Sequence, residues 1–162
     1  MFVLQKLDLD HAAAVLDFER AHREYFAKSI NDRGDDFFDH FAARHQSMLA
    51  EQESGRGAYY VLLDEDGAIA GRFNLYNIVD ATADVGYRVA QTASGRGVAT
   101  AGLRDLCRIA TGELGLRLLR AATSNANVAS QRVLANNGFA VVGTADVEGR
   151  DGMLYELVLT RP

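Results

Sequence analysis

Two glycines flank an arginine in the stretch SGRGVAT, residues 94–100, directly before a segment patterned as a helix. Glycine costs a helix roughly 1 kcal/mol relative to alanine, so Gly95 and Gly97 indicate a requirement of the backbone. The backbone N–H groups at the start of a helix, together with the helix dipole, are suited to binding phosphate groups. Arg96 would add positive charge there. A tight turn without any ligand is the competing interpretation of the same residues.

Two common phosphate-binding motifs do not match this loop. A Walker loop needs Gly-Lys-Ser/Thr, and no glycine in the chain is followed by lysine. A dinucleotide fingerprint ends in Gly or Ala, but Thr100 occupies that position. Its acidic ribose ligand, about 20 residues further on, would fall near Arg117. The loop therefore predicts neither a P-loop nucleotide site nor a nicotinamide site.

The composition limits the classes of function. With 162 residues, 48% of them hydrophobic and 24% charged, we expect one cytoplasmic domain spanning 1–162. The net charge of −5 gives no reason to expect nucleic acid, and no apolar run is long enough for a membrane span. The single cysteine, Cys107, excludes an internal disulfide. No two of the four histidines have the i, i+4 spacing of a metal-binding pair, so we expect no metal.

The charge is unevenly divided along the chain. Residues 1–66 hold 14 acidic and 7 basic side chains, whereas residues 67–162 hold 8 acidic and 10 basic ones. The first part is therefore suited to border a cationic ligand and the second an anionic one. Solvated acidic surface helices explain the same numbers equally well.

The residues that could do chemistry must be positioned by an alternation of helices and strands. We expect a first strand in MFVLQKL and a helix capped by Asp10, whose apolar positions include Ala13, Leu16, Ala21 and Tyr25. A second helix should carry the aromatic and apolar residues from Phe37 to Leu49. Strands are predicted at 58–64, 68–78, 82–90 and 116–124, and helices at 98–112 and after Asn127. A closing hairpin follows, so the fold class is α/β with a mixed sheet.

Four stretches in this order resemble one family: ADVGYRV, SGRGVAT, NANVASQRVLANNGF and the closing hairpin. They resemble the GCN5-related N-acetyltransferases (GNAT), and most of all their ribosomal-protein N-terminal acetyltransferase branch. The resemblance covers residues 58–160, and the first 57 residues fit only in general plan. It implies a mostly antiparallel central sheet that is splayed at the cofactor site, with helices on both faces. It also implies acetyl-CoA as the co-substrate and direct transfer of the acetyl group to an amine in a ternary complex.

The resemblance implies which residues hold the cofactor. The loop pattern of the family is Gln/Arg-x-x-Gly-x-Gly/Ala, and here Ser94 departs from its first position. The backbone donors of the loop would still bind the pyrophosphate of coenzyme A. The implied cofactor-binding residues are Val89, Gly95, Arg96, Gly97, Val98, Ala99, Thr100, Asn127 and Ser130.

The resemblance also assigns catalytic roles. Asp84 matches a glutamate that removes the amine proton, and its shorter side chain favours a bridging water. A backbone N–H at Val85 or Gly86 matches the group that polarises the thioester carbonyl, and the glycine suits the strand bulge found there. The tyrosine that protonates the departing thiolate would fall at Leu134 and is absent. Ser130 is therefore the predicted proton donor, although a hydrogen bond at a helix start would also explain it.

The acceptor side is the least specified part. The resemblance and the strand positions suggest Glu19, Arg23, Tyr25, Asn74, Tyr76 and Tyr87 as substrate-binding residues. The acceptor would be the amine of a protein N-terminus or of a small molecule, entering an acidic cleft beside the first two helices. A protein that binds a coenzyme A species without turnover is the main alternative. The oligomeric state is open, although a homodimer is the commonest soluble assembly.

Overall fold

A seven-stranded sheet forms the centre of the computed structural model, which describes residues 1–160. The strands are β1 (Val3–Lys6), β2 (Ala58–Leu63), β3 (Ile69–Val79), β4 (Thr82–Val89), β5 (Leu118–Ser124), β6 (Ala140–Val147) and β7 (Arg150–Val158). The helices are α1 (Ala12–Ala21), α2 (Arg23–Ala27), α3 (Asp35–Asp39), α4 (Phe41–Glu53), α5 (Val98–Gly112) and α6 (Val128–Asn136). Within residues 1–160, no helix combines the length and the apolar character that crossing a membrane requires.

The strand order is β1-β2-β3-β4-β5-β7-β6, and only the pair β4–β5 is parallel. This pair is hydrogen-bonded only where Thr82–Asp84 lies beside Leu118–Arg120. Beyond Asp84 the two strands separate, while β4 stays paired with β3 as far as Val89. The edge of β4 from Val85 onward therefore faces a gap in the sheet. The mostly antiparallel sheet with a splay at this point confirms the predicted fold.

Helices cover both faces of the sheet. On one face α5 and α6 bury Leu103, Leu106 and Leu134 against Phe73 and Leu75 of β3. On the other face α1, α3 and α4 bury apolar side chains against β2, in a cluster of Leu7, Val15, Phe37, Phe41, Tyr59 and Val61. Because strand side chains alternate between the faces, neighbouring residues of β4 reach different helical layers.

The first helical region differs from its sequence prediction. Asp10 does not cap α1: a short 3₁₀ turn at Leu9–His11 precedes the helix, and Asp8 caps this turn by accepting a hydrogen bond from the backbone N–H of Asp10. The N-cap of α1 itself is His11, whose side chain makes no capping hydrogen bond. The prediction failed because both aspartates are good caps, and only the turn geometry decides between them. The apolar face of α1 is also different, since Val15 and Phe18 are buried while Ala13 and Ala21 are exposed. The predicted second helix is interrupted at His40 and forms α3 and α4.

Candidate active site

The glycine loop leaves the N-terminus of α5 open. Gly95 and Gly97 both have a φ of 74°, a left-handed conformation that favours glycine. Gly97 is the N-cap of α5 and offers no side chain to the helix, and the N–H of Ala101 makes the hydrogen bond to its carbonyl. The N–H groups of Val98, Ala99 and Thr100, which lie between Gly97 and Ala101, therefore have no acceptor within the helix. A Cβ on either glycine would meet no atom within 4 Å, so a bulky anion can come close to the backbone.

A cleft of about 410 Å³ begins at this loop and runs between β4, α5 and α6. Its lining includes most of the predicted cofactor residues: Val89, Gly95, Gly97, Val98, Ala99, Thr100, Asn127 and Ser130. Arg96 is not among them, because its guanidinium lies over the ring of Phe2, 5.8 Å from the ring centre. Arg132 of α6 lines the cleft instead and was not predicted. The residues present fit a diphosphate group at the helix start and an elongated ligand beyond it.

A second cavity of about 690 Å³ opens on the other side of β4. Asn74, Tyr76, Val85, Gly86 and Tyr87 line it, together with residues from the loop after α2 and from the β6–β7 turn. The two cavities share Ser29, Ile30, Tyr87, Arg88, Asn127 and Ser130. They therefore meet at the splay, so that a ligand in one can contact a ligand in the other.

Tyr87 and Ser130 lie at this junction. The Tyr87 phenol is 3.0 Å from the Ser130 hydroxyl, and its ring is stacked on Phe73 at 5.5 Å between ring centres. Burial raises the pKa of Tyr87 to about 12, although the hydrogen bond between Tyr87 and Ser130 acts in the opposite direction. The phenol is therefore protonated at neutral pH. Asn127 accepts a hydrogen bond from the Ser130 N–H at 3.2 Å, which confirms it as the cap of α6.

Asp84 lies next to the second cavity but outside its lining. Its carboxylate accepts a hydrogen bond from the Asn77 side chain at 2.9 Å. It is paired in register with Tyr76, and burial together with the charge of Asp84 raises the pKa of Tyr76. Gly86, two residues on, leaves room for the Tyr76 ring, which a Cβ at that position would touch at 3.4 Å. The β3–β4 register is continuous across Gly86, so the bulge predicted there is instead a separation from β5.

A buried carboxylate organises the wall behind the cavity. Glu19 is 1% exposed and forms ion pairs with Arg33 at 3.0 Å, Arg72 at 2.8 Å and Arg88 at 3.0 Å. Burial alone would raise the pKa of Glu19, but the three guanidinium groups outweigh it and the pKa is lowered. Burial lowers the pKa of Arg88 to about 10, so this side chain is still charged at neutral pH. Glu19 therefore holds arginines in place and does not line either large cavity.

Two other predicted acceptor residues lie elsewhere. Arg23 forms ion pairs with Asp32 and Asp35 at 2.8 and 2.9 Å and lines neither large cavity. Tyr25 lines the cleft beside the glycine loop, on the cofactor side. These residues were predicted only because they lie on the first helical region. Membership of a helix does not determine which of its residues face a cavity.

The second cavity, which Asn74, Tyr76 and Tyr87 line, is not acidic, in contrast to the cleft expected beside these residues. The charged side chains of the cavity lining are Asp32, Arg33, Arg44, Arg88, Asp146, Glu148 and Arg150, with four basic groups against three acidic ones. Most acidic residues of the first half, such as Asp17 and Glu24, are exposed to solvent. Sequence reasoning missed Arg88, although the period of two along β4 places it on the face of Asp84 and Gly86. Arg33 lies in a loop whose sequence carries no comparable signal.

No group of three or more His, Cys, Asp or Glu side chains within residues 1–160 is arranged to hold a metal ion. Cys107 lies on α5 and packs against the core, where burial raises the pKa of its thiol to about 11.

Comparison with known proteins places the chain among acetyltransferases. The sequence model of the acetyltransferase (GNAT) domain matches residues 2–140. The probable N-acetyltransferase YjcK of Bacillus subtilis is 24% identical over 148 residues, which cover 88% of this chain and 82% of the relative. The ribosomal-protein-S5-alanine acetyltransferase of Vibrio fischeri superposes with a TM-score of 0.90 at 20% identity, over 98% of this chain and 93% of that one. Mycobacterium smegmatis RimJ, solved with a CoA-disulfide, gives 0.86 at 24% identity, over 97% and 81%.

Proposed function

The chain belongs to the acetyltransferase (GNAT) family, and we propose that it transfers the acetyl group of acetyl-CoA to a primary amine by direct attack in a ternary complex. The meeting of two cavities at Tyr87 and Ser130 carries this proposal. Direct transfer needs both substrates bound at once with their reacting atoms about 3 Å apart. One cavity begins at a phosphate-binding loop and the other is open to a polar acceptor, so each substrate has its own entrance.

The cleft beside α5 would hold the cofactor. The N–H groups of Val98, Ala99 and Thr100 would donate to the pyrophosphate, and Arg132 would add a positive charge near it. The pantetheine arm would pass Val89 and Asn127 toward the junction. When bound, acetyl-CoA supplies an activated acetyl group as a thioester.

The junction would supply two kinds of donor. The splayed edge of β4 at Val85 and Gly86 has backbone groups without a partner in β5, and an N–H there would stabilise negative charge on the carbonyl oxygen. Ser130, with Tyr87 behind it, would donate a hydrogen bond to the sulfur as the thiolate leaves. A Tyr87 phenol with a pKa of about 12 stays protonated at neutral pH, so this pair is always able to donate.

The amine must lose a proton before it attacks. Asp84 would accept that proton through a water, because its carboxylate lies beside the cavity rather than in its lining. The arginines of the cavity wall favour this loss, since nearby positive charge lowers the pKa of an ammonium group. An α-amino group, with an ordinary pKa near 8, needs a smaller shift than a lysine near 10.4. A protein or peptide N-terminus and a small α-amino compound are therefore the acceptors we propose.

Replacement of Ser130 by alanine should lower kcat by about 100-fold, in the range expected for loss of a proton donor. Tyr87→Phe, which keeps the ring on Phe73 and removes only the hydroxyl, should lower kcat by a smaller factor. Calorimetry should give an unchanged Kd for coenzyme A in both variants. The cap of α6 is provided by Asn127, so the serine variant should keep its helix. An unchanged kcat for Ser130→Ala would remove the proton-donor role.

Asp84→Asn should lower kcat/KM by 10-fold or more at pH 7, because an amide cannot accept the amine proton. The loss should shrink as the pH rises and the amine becomes neutral by itself. Asp151→Asn is the matched control, since Asp151 is an exposed acid on β7. Equal rates for Asp84→Asn and the control at every pH would assign proton removal to another group.

Formation of free coenzyme A from acetyl-CoA in the presence of a panel of amines tests the function as a whole. If the protein binds coenzyme A but forms none from acetyl-CoA with any amine, the alternative is favoured, a coenzyme A-binding protein without turnover. The leucine at position 134, where many relatives of this family are expected to carry a tyrosine, is the observation that keeps this alternative in the test.

A further inference from the structure

The wall of the acceptor cavity carries more positive charge than its buried carboxylate can balance. Arg72 and Arg88, which are largely buried, share the single carboxylate of Glu19, so the buried group has an excess charge of +1. Arg33, whose side chain is 29% exposed, also pairs with Glu19 and adds a further positive charge. Arg33 and Arg88 also line the acceptor cavity. A buried excess of charge is costly unless a partner of opposite sign is present at some stage of function.

Both arginines have hydrogen-bond donors left for such a partner. Within residues 1–160, Arg88 hydrogen-bonds only to Glu19 and only through Nη1, while its guanidinium lies over the Phe26 ring at 4.7 Å. Arg33 uses Nε and Nη2 on Glu19 and lies 4.7 Å from the centre of the Phe37 ring. Ion pairing and aromatic contact fix the planes of both groups, and fixed guanidinium planes suit carboxylate or phosphate.

The same cavity also contains two buried polar atoms without a partner among the described residues. Oδ1 of Asn74 and Oγ of Ser124 are both buried and make no hydrogen bond, and both residues line the cavity. Asn74 is two residues along β3 from Arg72, on the same face of the sheet. An amide oxygen can accept a hydrogen bond from an amine or ammonium group. The cavity thus combines an orphan acceptor with an anion-binding pair of arginines.

We propose that the acceptor is an amine whose own molecule carries an anionic group, a carboxylate or a phosphate, that binds to Arg88 and Arg33 while the amine lies near Asn74. This inference rests on the proposed acetyl transfer and specifies its substrate class. It makes polyamines and other purely cationic acceptors poor substrates, because they would meet a cationic wall. The anionic group could belong to a small amino acid or to an acidic residue next to a peptide N-terminus.

Matched pairs of acceptors test the inference. One pair is a free amino acid and its amide, which differ in the carboxylate beside the amine. The other is a peptide amide with Ser-Glu at its N-terminus and the same peptide with Ser-Gln. Coenzyme A release should give a kcat/KM at least 10-fold higher for the anionic member of one pair, mainly through KM, and the pair that responds identifies the source of the anion.

Arg88→Met should remove most of this preference, measured as the ratio of kcat/KM between the anionic and the neutral member of the pair that responds. Methionine keeps an apolar stem of similar length over Phe26. If that variant does not fold, Arg33→Gln gives a second test, because Arg33 is the other arginine of the proposed pair and its side chain is 29% exposed. Arg20→Gln is the control, since Arg20 is exposed on α1 and lines neither large cavity.

Failure of the inference and failure of the proposed function give different results. Equal kcat/KM within both pairs, in an enzyme that acetylates them, would overturn the anionic acceptor and leave acetyl transfer in place. If no acceptor reacts, calorimetric titration of the same pairs into the coenzyme A complex decides between the two. Tighter binding of the anionic members by at least 10-fold would support the inference, and equal binding would overturn it.

Discussion

Replacement of Glu19 by glutamine is expected to lower the free energy of unfolding by roughly 3–5 kcal/mol, the cost of breaking a buried ion pair by removing one partner. Glu19 is the only carboxylate that pairs with Arg72 and Arg88 within residues 1–160, and it is 1% exposed. The neutral amide would leave three guanidinium groups close together with no compensating charge. Urea unfolding at pH 7, followed by circular dichroism, measures the change.

Asp17→Asn is the matched control for this result. Asp17 lies on the same helix, is exposed and forms no ion pair within residues 1–160, so its replacement should change the free energy of unfolding by less than about 0.5 kcal/mol. A similar small change for Glu19→Gln would mean that the arginines are stable without the carboxylate. Binding of the proposed acceptor should also weaken in Glu19→Gln, because Arg33 and Arg88 lose the group that positions them.

The same carboxylate makes stability depend on pH with a definite sign. The pKa of Glu19 is lower in the folded state than its ordinary value, so its contribution is complete above the unfolded pKa of about 4.3. The contribution is lost as the pH falls from there through the folded pKa. The Glu19→Gln variant lacks the carboxylate that makes this contribution. Its free energy of unfolding should therefore fall less than that of the original chain between pH 4 and the pH at which the chain unfolds in acid. Parallel denaturation curves at several pH values measure this difference.

Gly97→Val should weaken coenzyme A binding by about 100-fold, equivalent to roughly 2.7 kcal/mol. Valine is strained at a φ of 74°, and relief of that strain would rotate the first N–H groups of α5 away from the phosphates. A side chain at this position would also occupy the open space in front of the helix. Calorimetry with coenzyme A gives the affinity directly.

Gly67→Val separates backbone strain from ligand binding. Gly67 has a φ of 81°, has no atom within 4 Å of an added Cβ, and lies in the β2–β3 turn outside both large cavities. Both variants should lose about 1–2 kcal/mol of stability from left-handed strain. Only Gly97→Val should lose affinity. If both bind coenzyme A equally well, the loop is a turn and the cofactor must bind elsewhere.

The two expected results concern different layers of one site. The loop at Gly97 would fix where the anionic cofactor enters, and the Glu19 cluster would fix the charge that meets the proposed acceptor. Between them lies the splay of β4 from β5, which brings Tyr87 and Ser130 to the point where both cavities meet. Chemistry at that point would depend on both layers, although neither contains a reacting group.

The sequence by itself predicted the parts of the site that depend on local geometry. The glycines at positions 95 and 97, the helix that follows them and the Asn127 cap all follow from conformational preferences of a few consecutive residues. The boundaries of β1 to β6 agree within two residues for the same reason, because period-two patterns and turn residues are local signals. The last strand, predicted at 153–161, instead begins at Arg150 and ends at Val158, since the turn before it is tighter than the sequence indicated. Asp84 as the base and Ser130 as the donor stay predictions, which the proposed variants test.

Only the tertiary structure determined the charge of the second cavity. Counting charges along the first half predicted an acidic cleft, yet most of those carboxylates face solvent and Glu19 is buried among arginines. Arg88 lies 69 residues from Glu19 in the chain and pairs with it because α1 packs on the face of the sheet that carries this arginine. Such a contact has no local signature, since it depends on how a helix packs on a sheet. Which side chains line a cavity is therefore a property of the packed elements, whereas which residues form a helix start is written in a few adjacent positions.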